Sequence, residues 1–380
     1  MPPPVSRQVL AASLSYVLAT GLLLTGCTAR DEPAAPERSG TASPSPTSSP
    51  SATSPSPTAA PRPRRVTLAL AGDIHFEGVL AERLRDPGTA LAAVAPVLSA
   101  ADLTIVNLET SIGTGGRPET GKRFTFSAGP EALTALAAAG VDVASMANNH
   151  ALDFGRGRLP STLRAARRAK AGDPSLAVVG IGADADEAFA PALTDADGTV
   201  VATVSASVAD QDPTADPTGA WAAGPDRPGV ADALDPRRLL RAVRRGAAEA
   251  DVVVAYLHWG VQGERCPSDA QRSLARRLVA AGADVVAGSH AHELQGDGPL
   301  GRGYVAYGLG NFAWYSPGPT GVLTLTVQPP REPAGRARVV ASRWWPGAIG
   351  PGGLPSRVTG GEAAAFRADT EALRACAGLG

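Results

Sequence analysis

Short apolar runs of strand length recur along the chain at 66–71, 103–106, 141–145, 177–181, 200–204, 252–257, 285–286 and 304–309. Between many of them lie Ala-, Leu- and Arg-rich stretches with apolar residues at helical spacing, at 91–98, 132–139, 159–169, 239–248 and 268–281. A strand buried on both faces reads as a continuous apolar run, so this alternation predicts an α/β fold with a largely parallel, buried sheet. Runs at 322–327 and 337–342 follow one another with no helix between them, which predicts an antiparallel part or a second sheet. No internal repeat is present.

The pattern is different before residue 66. An uncharged segment of secretory-signal length, 9–24, ends in Leu24-Thr25-Gly26-Cys27, a tetrapeptide that resembles a bacterial lipobox. On that resemblance 1–26 is a lipoprotein signal peptide and Cys27 carries the lipid. Residues 28–65 hold 22 Ser, Thr or Pro among 38 and show no apolar periodicity. Such a segment cannot bury enough surface to offset its chain entropy, so 27–65 reads as a disordered stalk and 66–380 as the folded domain. The expected location is the extracellular face of the bacterial cell membrane, lipid-anchored. With Cys27 lipidated, Cys266 and Cys376 remain as a pair in an oxidising compartment and are expected to form a disulfide.

Composition narrows the function classes. The 35 basic residues balance 36 acidic ones, so no electrostatic footprint for nucleic acid exists. Only five histidines (75, 150, 258, 290, 292) and four asparagines (107, 148, 149, 311) occur, and each sits where an apolar run ends. Ligands of open α/β sheets bind beyond the carboxyl ends of the strands. The run 66–71 leads into Asp73 and His75, 103–106 into Asn107 and Glu109, and 141–145 into Asn148, Asn149, His150 and Asp153. Further on, 252–257 leads into His258, 285–286 into His290 and His292, and 304–309 into Asn311.

Two residues separated by one in extended chain share a face, so Asp73 with His75, and His290 with His292, can each aim two donors at one place. Carboxylate plus imidazole suits a divalent transition metal such as manganese, zinc or iron. Asp73, His75, Glu109, Asn149, His258, His290 and His292 supply seven donors, more than one ion takes, and predict two metals, with a single carboxylate such as Glu109 able to bridge them.

The ordered set Gly72-Asp73, Asn107-Leu108-Glu109, Asn148-Asn149-His150 with Asp153-x-Gly155, His258-Trp259-Gly260, Gln271, Ala281-Gly282-Ala283-Asp284, Gly288-Ser289-His290-Ala291-His292 and Tyr307-Gly308-Leu309-Gly310-Asn311-Phe312 resembles the CapA type of poly-γ-glutamate capsule synthesis protein. That family shares the calcineurin-like metallophosphoesterase architecture. The resemblance implies a four-layer sandwich of two mixed sheets flanked by helices. It implies one metal on Asp73, His75, Glu109 and His292 and another on Glu109, Asn149, His258 and His290, with His150 as the group that stabilises or protonates a leaving oxygen. Asp153 would orient His150, Asn107, Asn148 and Asn311 would buttress the ligands, Arg123 would meet a substrate anion, and Trp259 and Trp314 would wall the cleft. His75 stands where the family often has a hydrophobic residue, which makes this segment more like the Asp-x-His of catalytic metallophosphoesterases. The implied role is synthesis, export or retention of an anionic envelope polymer, with capsule-synthesis membrane proteins as partners. The alternative is a metal-dependent phosphoesterase acting on an envelope phosphoester.

Overall fold

The computed structural model describes residues 63–379 apart from 331, 333 and 334. The signal peptide, the lipidated Cys27 and nearly all of the stalk lie outside the described residues.

Two mixed sheets pack face to face. The first has the strand order Pro355–Arg357, Arg338–Ile349, Gly318–Gln328, Val66–Ile74, Leu103–Leu108, Val143–Ser145 and Ala177–Val179, with Asn311–Ala313 joining the end of the first strand. The four strands from Val66–Ile74 to Ala177–Val179 run parallel, and the three C-terminal strands extend the sheet antiparallel, as the closely spaced late runs predict. The second sheet has the order Asp297–Leu300, Gly303–Ala306, Val285–His290, Val252–Trp259, Thr199–Ser207 and Ala192–Ala196, parallel in its centre with antiparallel edges.

Alternation along each strand builds the layers. Val252, Val254 and Tyr256 share a buried cluster between the sheets with Val66, Leu68, Leu70, Leu103 and Ile105. Val253, Ala255 and Leu257, on the opposite face, belong with Leu239, Val243, Leu274 and Leu278 of the helices Arg237–Glu249 and Asp269–Ala281. Val106 and Ala144 of the first sheet likewise meet Leu133, Leu136 and Leu163 of Glu131–Ala138 and Leu159–Lys170. The result is the four-layer helix–sheet–sheet–helix sandwich. Each fully buried Leu or Val in it contributes about 1.5–3 kcal/mol.

The helices expected at 132–139, 159–169, 239–248 and 268–281 are present within two residues. Ser268 and Gln271 close the last of these with reciprocal bonds, the Ser268 side chain accepting from Gln271 N and Gln271 Oε1 accepting from Ser268 N at 2.8 Å. Only Ala95–Leu98 of 91–98 is helical, because the segment before it is spent in tight turns that carry the chain around the edge of the layer. The 304–309 run is strand only through Ala306, after which Tyr307–Leu309 leave the sheet beside Gly288 and Gln295. A 17-residue terminal helix, Gly360–Cys376, was not legible; just three of its residues are buried, so it carries almost no periodic apolar signal. Cys266 and Cys376 are joined in a disulfide with Cα atoms 5.7 Å apart, which ties this helix to the segment following His258.

Two close approaches hold the site end of the sandwich together. The Tyr256 hydroxyl crosses from the second sheet and donates to Ala71 O at 2.7 Å. Gly72 sits so near the returning chain that a Cβ there would stand 1.8 Å from Gly310 O, and Asp73 N donates to that same oxygen at 2.9 Å. Gly72→Ala therefore forces the strand away from Gly310, with an expected loss of about 1–3 kcal/mol in denaturant unfolding. Cys376→Ser opens a loop with a sequence separation of 110. The chain-entropy argument gives a loss of roughly 4–5 kcal/mol, read as a lower Tm that a reducing agent reproduces in the wild-type chain and does not add to in the variant.

Candidate metal centre

Parallel strands deliver their carboxyl ends to one edge, and here the edges of both sheets meet. Asp73 pairs in register with Asn107 on one side and Asn311 on the other, while His258 pairs with Ser289 and Trp259 with His290. Asp73, His75, Asn107, Glu109, Asn148, Asn149, His150, Asp153, His258 and His290 are all buried, and His292 is partly so.

Among the described residues, two groups of three acidic or imidazole side chains bring their donor atoms within 4.8 Å of one another: Glu109, His258 and His290, and Asp73, Glu109 and His292. Glu109 is common to both. Both of its carboxylate oxygens are buried without a hydrogen-bond partner. Burial, and then the Asp73 charge, push its carboxyl up to about 7, against the opposing pull of His292, His150 and His290. An unpartnered carboxylate ringed by imidazoles fits a divalent cation, whose charge supplies what the chain does not.

The remaining donors converge on Glu109. His258 Nε2 lies 3.4 Å from Glu109 Oε1, 3.1 Å from His290 Nδ1 and 2.6 Å from Asn149 Oδ1. Burial holds the His258 imidazole down at about 3 and lowers His290 as well, so both rings keep a lone pair for a cation. Burial would raise Asp73, but a hydrogen bond from His292 and the nearby imidazoles hold it well below the usual carboxylate range. His292 answers in the opposite sense: burial would lower it, yet Asp73 and Glu109 push it up to about 9. His290 and His292 both have positive φ, 96° and 57°, a left-handed backbone that costs non-glycine residues about 1–3 kcal/mol each and is kept where a site requires it.

The asparagines act as braces. Asn107 Nδ2 donates to Asp73 Oδ1 at 2.8 Å, Asn148 Nδ2 donates to Asn107 Oδ1 at 3.1 Å, and Asn311 Oδ1 lies 2.7 Å from His292 Nδ1. His150 Nδ1 is 2.6 Å from Asp153 Oδ2, which turns Nε2 toward Glu109 Oε1 at 3.7 Å, and Phe126 stacks on the ring at 4.1 Å. His75 belongs to neither donor group. It lies among Trp314, Tyr315 and Phe126, with Glu77 N donating to its Nδ1 at 2.9 Å. A cavity of about 360 Å³ opens over the centre, lined by Phe124, Phe126, His150, His292, Trp314 and Tyr315 among others. Trp259 does not wall it: the indole is buried, donates to Tyr307 O at 2.7 Å, and crosses where a Cβ on Gly288 would stand 2.0 Å from its nitrogen. Arg123 is turned to Asp216 and the Thr214 carbonyl instead of the cleft.

Two residues with buried side chains escaped the sequence reading. Lys122 pairs with Asp153, donates to Asn149 O and lies over the Trp221 ring at 4.9 Å. Asp212 Oδ2 lies 3.1 Å from His290 Nε2 and accepts from Gln262 N at 2.9 Å, while Asp212 Oδ1 accepts from Thr214 N and Oγ1. Lys122 had a signal in its rarity, being one of two lysines in the chain. Asp212 had none, lying in an irregular segment 78 residues before its histidine.

Residues 67–316, a span that includes every donor named above, match the family model described as bacterial capsule synthesis protein PGA_cap. The chain belongs to that family. This PGA_cap member is 29% identical over 260 residues to a capsule biosynthesis protein, CapA, of Bacillus anthracis, covering 66% of this chain and 60% of the relative. It is 33% identical over 203 residues to a probable polyglutamine synthesis accessory protein of Mycobacterium tuberculosis, covering 51% and 50%. The match thus spans about half to three-fifths of the curated relatives' own length. Among solved structures, a phosphatase of Mycoplasma pneumoniae is similar with 12% identity and a TM-score of 0.45 over 74% of this chain and 93% of that one.

A carboxylate on the far nitrogen of a ligand imidazole fixes its tautomer and raises its basicity. Asp212→Asn in this PGA_cap member should weaken manganese binding by roughly 10–100-fold in equilibrium dialysis while Tm shifts little. Unchanged affinity would remove Asp212 from the centre.

Proposed function

We propose that the chain is a lipid-anchored envelope protein that handles an anionic capsular polymer, poly-γ-glutamate or a related chain, through a centre of two divalent ions, manganese, zinc or iron. Glu109, buried with both oxygens unpartnered between two donor groups, is the observation that carries this reading. Asp73, Glu109 and His292 hold one ion, and Glu109, Asn149, His258 and His290 the other. Capsule-synthesis membrane proteins are its partners, and Cys27 with the stalk 27–65 holds it at the extracellular face of the membrane.

Bound there, the ions supply Lewis acidity and an activated water. The chain's own residues do the rest. Asn107, Asn148 and Asn311 fix the donors, and Asp153 holds the His150 ring so that Nε2 faces the cleft. Phe126 and Trp314 wall the cleft on that side. His150 can then hold or release a proton at Nε2 for a leaving oxygen.

The His150–Asp153 pair favours a second reading, an active phosphoesterase or other metallohydrolase acting on an envelope substrate. Elemental analysis of the purified chain, beside turnover of an aryl phosphate with manganese, zinc or iron, separates the two. Two ions with turnover that falls about 10²–10⁴-fold in His150→Ala, metal content unchanged, establishes the enzyme. Two ions without turnover, with polymer lost from a deletion strain, establishes polymer handling, and a chain that takes up no ion overturns the centre itself.

A further inference from the structure

We infer that the outer face of the first sheet, over Arg338–Ile349, is a docking groove for the anionic polymer, with Arg343 and Arg357 holding two of its carboxylates. The inference rests on the polymer reading proposed above but not on the metal centre, and residues outside that centre carry it. Directly paired residues of an antiparallel ladder project from the same face, and so do residues two apart on one strand. Arg343, Trp345 and Gly347 therefore share a face, and Arg357 joins them because it pairs with Gly347. Thr324, the partner of Arg343, extends the row onto the next strand. The indole of Trp345 lies across Gly347, where a Cβ would stand 2.4 Å from the ring, so an aromatic surface separates the two arginine positions.

This is the helix side of the sheet. Val322, the partner of Trp345, is buried in the cluster that the sheet shares with its helices, and Trp345 packs against that cluster. The terminal helix lies on the opposite face, where Phe366 meets Trp344. At the margin of the Trp345 row stands Ala95–Leu98, whose Pro96 and Val97 wall a cavity of about 560 Å³ together with Thr324, Arg343, Trp345 and Arg357.

Charge selects the occupant. Both arginines are exposed, and among the described residues no acidic side chain lies within 4.0 Å of either guanidinium. No acid lines this groove, whereas Glu187, Glu293 and Glu131 each stand in the wall of another cavity. A guanidinium presents a planar fork of donors that matches a carboxylate, and such charge-assisted bonds are stronger than neutral ones. A polymer with carboxylates along an aliphatic backbone fits both halves of the groove. Its acids meet Arg343 and Arg357 while its methylenes lie on the Trp345 ring, Pro96 and Val97.

Binding of soluble poly-γ-glutamate to the full chain, with and without manganese, tests the groove. The metal-free wild-type chain should bind, and Arg343→Glu combined with Arg357→Glu should weaken binding at least about tenfold at unchanged Tm, the loss of two charge-assisted contacts. Alanine at both positions should weaken it in the same direction and less. Arg241→Glu combined with Arg244→Glu, the same change of charge on the helix layer of the other sheet, should stay within about twofold of wild type because distant charges are screened. Equal affinity in the wild type and both groove variants overturns the inference, and so does an equal loss in the Arg241/Arg244 variant. Tighter and equally arginine-dependent binding to phosphatidylglycerol vesicles overturns it too, since the face would then be a membrane contact. A metal-free wild type that does not bind polymer removes the groove, and binding restored by manganese would leave the centre as the polymer's site. Arginine-dependent binding that manganese does not strengthen upholds the groove and takes the polymer away from the centre.

Discussion

Burial of the Glu109 carboxylate without a partner is the constraint around which the rest is arranged. An ionised carboxylate removed from water is tolerated only beside compensating charge. In this chain the donors that could hold such a charge beside it come from both sheets: Asp73 from the first, His258 and His290 from the second. The two sheets must therefore meet with little freedom at that one edge. The Tyr256 hydroxyl on Ala71 O, the bare Cα of Gly72 against Gly310, and the indole of Trp259 lying across Gly288 remove it. The left-handed backbone at His290 and His292 is a local cost of the same demand.

Orientation of the rings is a second layer of the same problem. Regular strands fix where a Cα stands but leave an imidazole free to rotate, and irregular segments do the fixing. Asp212, from the segment following Thr199–Ser207, holds His290, and Gln262 N holds Asp212 in turn. Lys122 binds Asp153 and so positions the group that holds His150. Phe126, four residues on, covers the ring and donates its own N–H to Asp153 at 2.6 Å. Distant parts of the chain thus converge on two histidines, and neither brace belongs to a strand.

That division explains what could be read in advance. Apolar runs report burial directly, so the strands, most of the helices and the antiparallel extension after residue 318 were legible, and with them the strand-end positions of Asp73, Glu109, His258 and His290. The terminal helix Gly360–Cys376 was not, because it covers the edge of the sandwich with a few residues such as Phe366 and Leu373 instead of a continuous stripe. Asp212 was invisible for a different reason. A buried acid in a loop looks like any surface acid until the fold brings a histidine to it. Spacing alone placed His75 beside Asp73 on one strand face, but the strand ends at Ile74 and the chain turns there, so the ring swings into the aromatic wall.

The geometry also bears on what kind of centre this is. A structural metal site is closed, with every donor turned inward and no free position, whereas a site that acts on a ligand keeps one side open. Here His292 and His150 line a cavity of about 360 Å³ that reaches the donors. Its walls are Phe124, Phe126, Trp314 and Tyr315, with Phe124 and Tyr315 59% and 42% exposed at its rim. Arg123, the cation expected there, is instead held by Asp216. With 35 basic residues set against 36 acidic ones and, among the described residues, no arginine lining the cleft, attraction for the proposed anion there would come from the centre itself. With a cation held by these donors, the open mouth walled by aromatic rings would leave one side of it free for the ligand proposed above, which a closed site kept for stability would not.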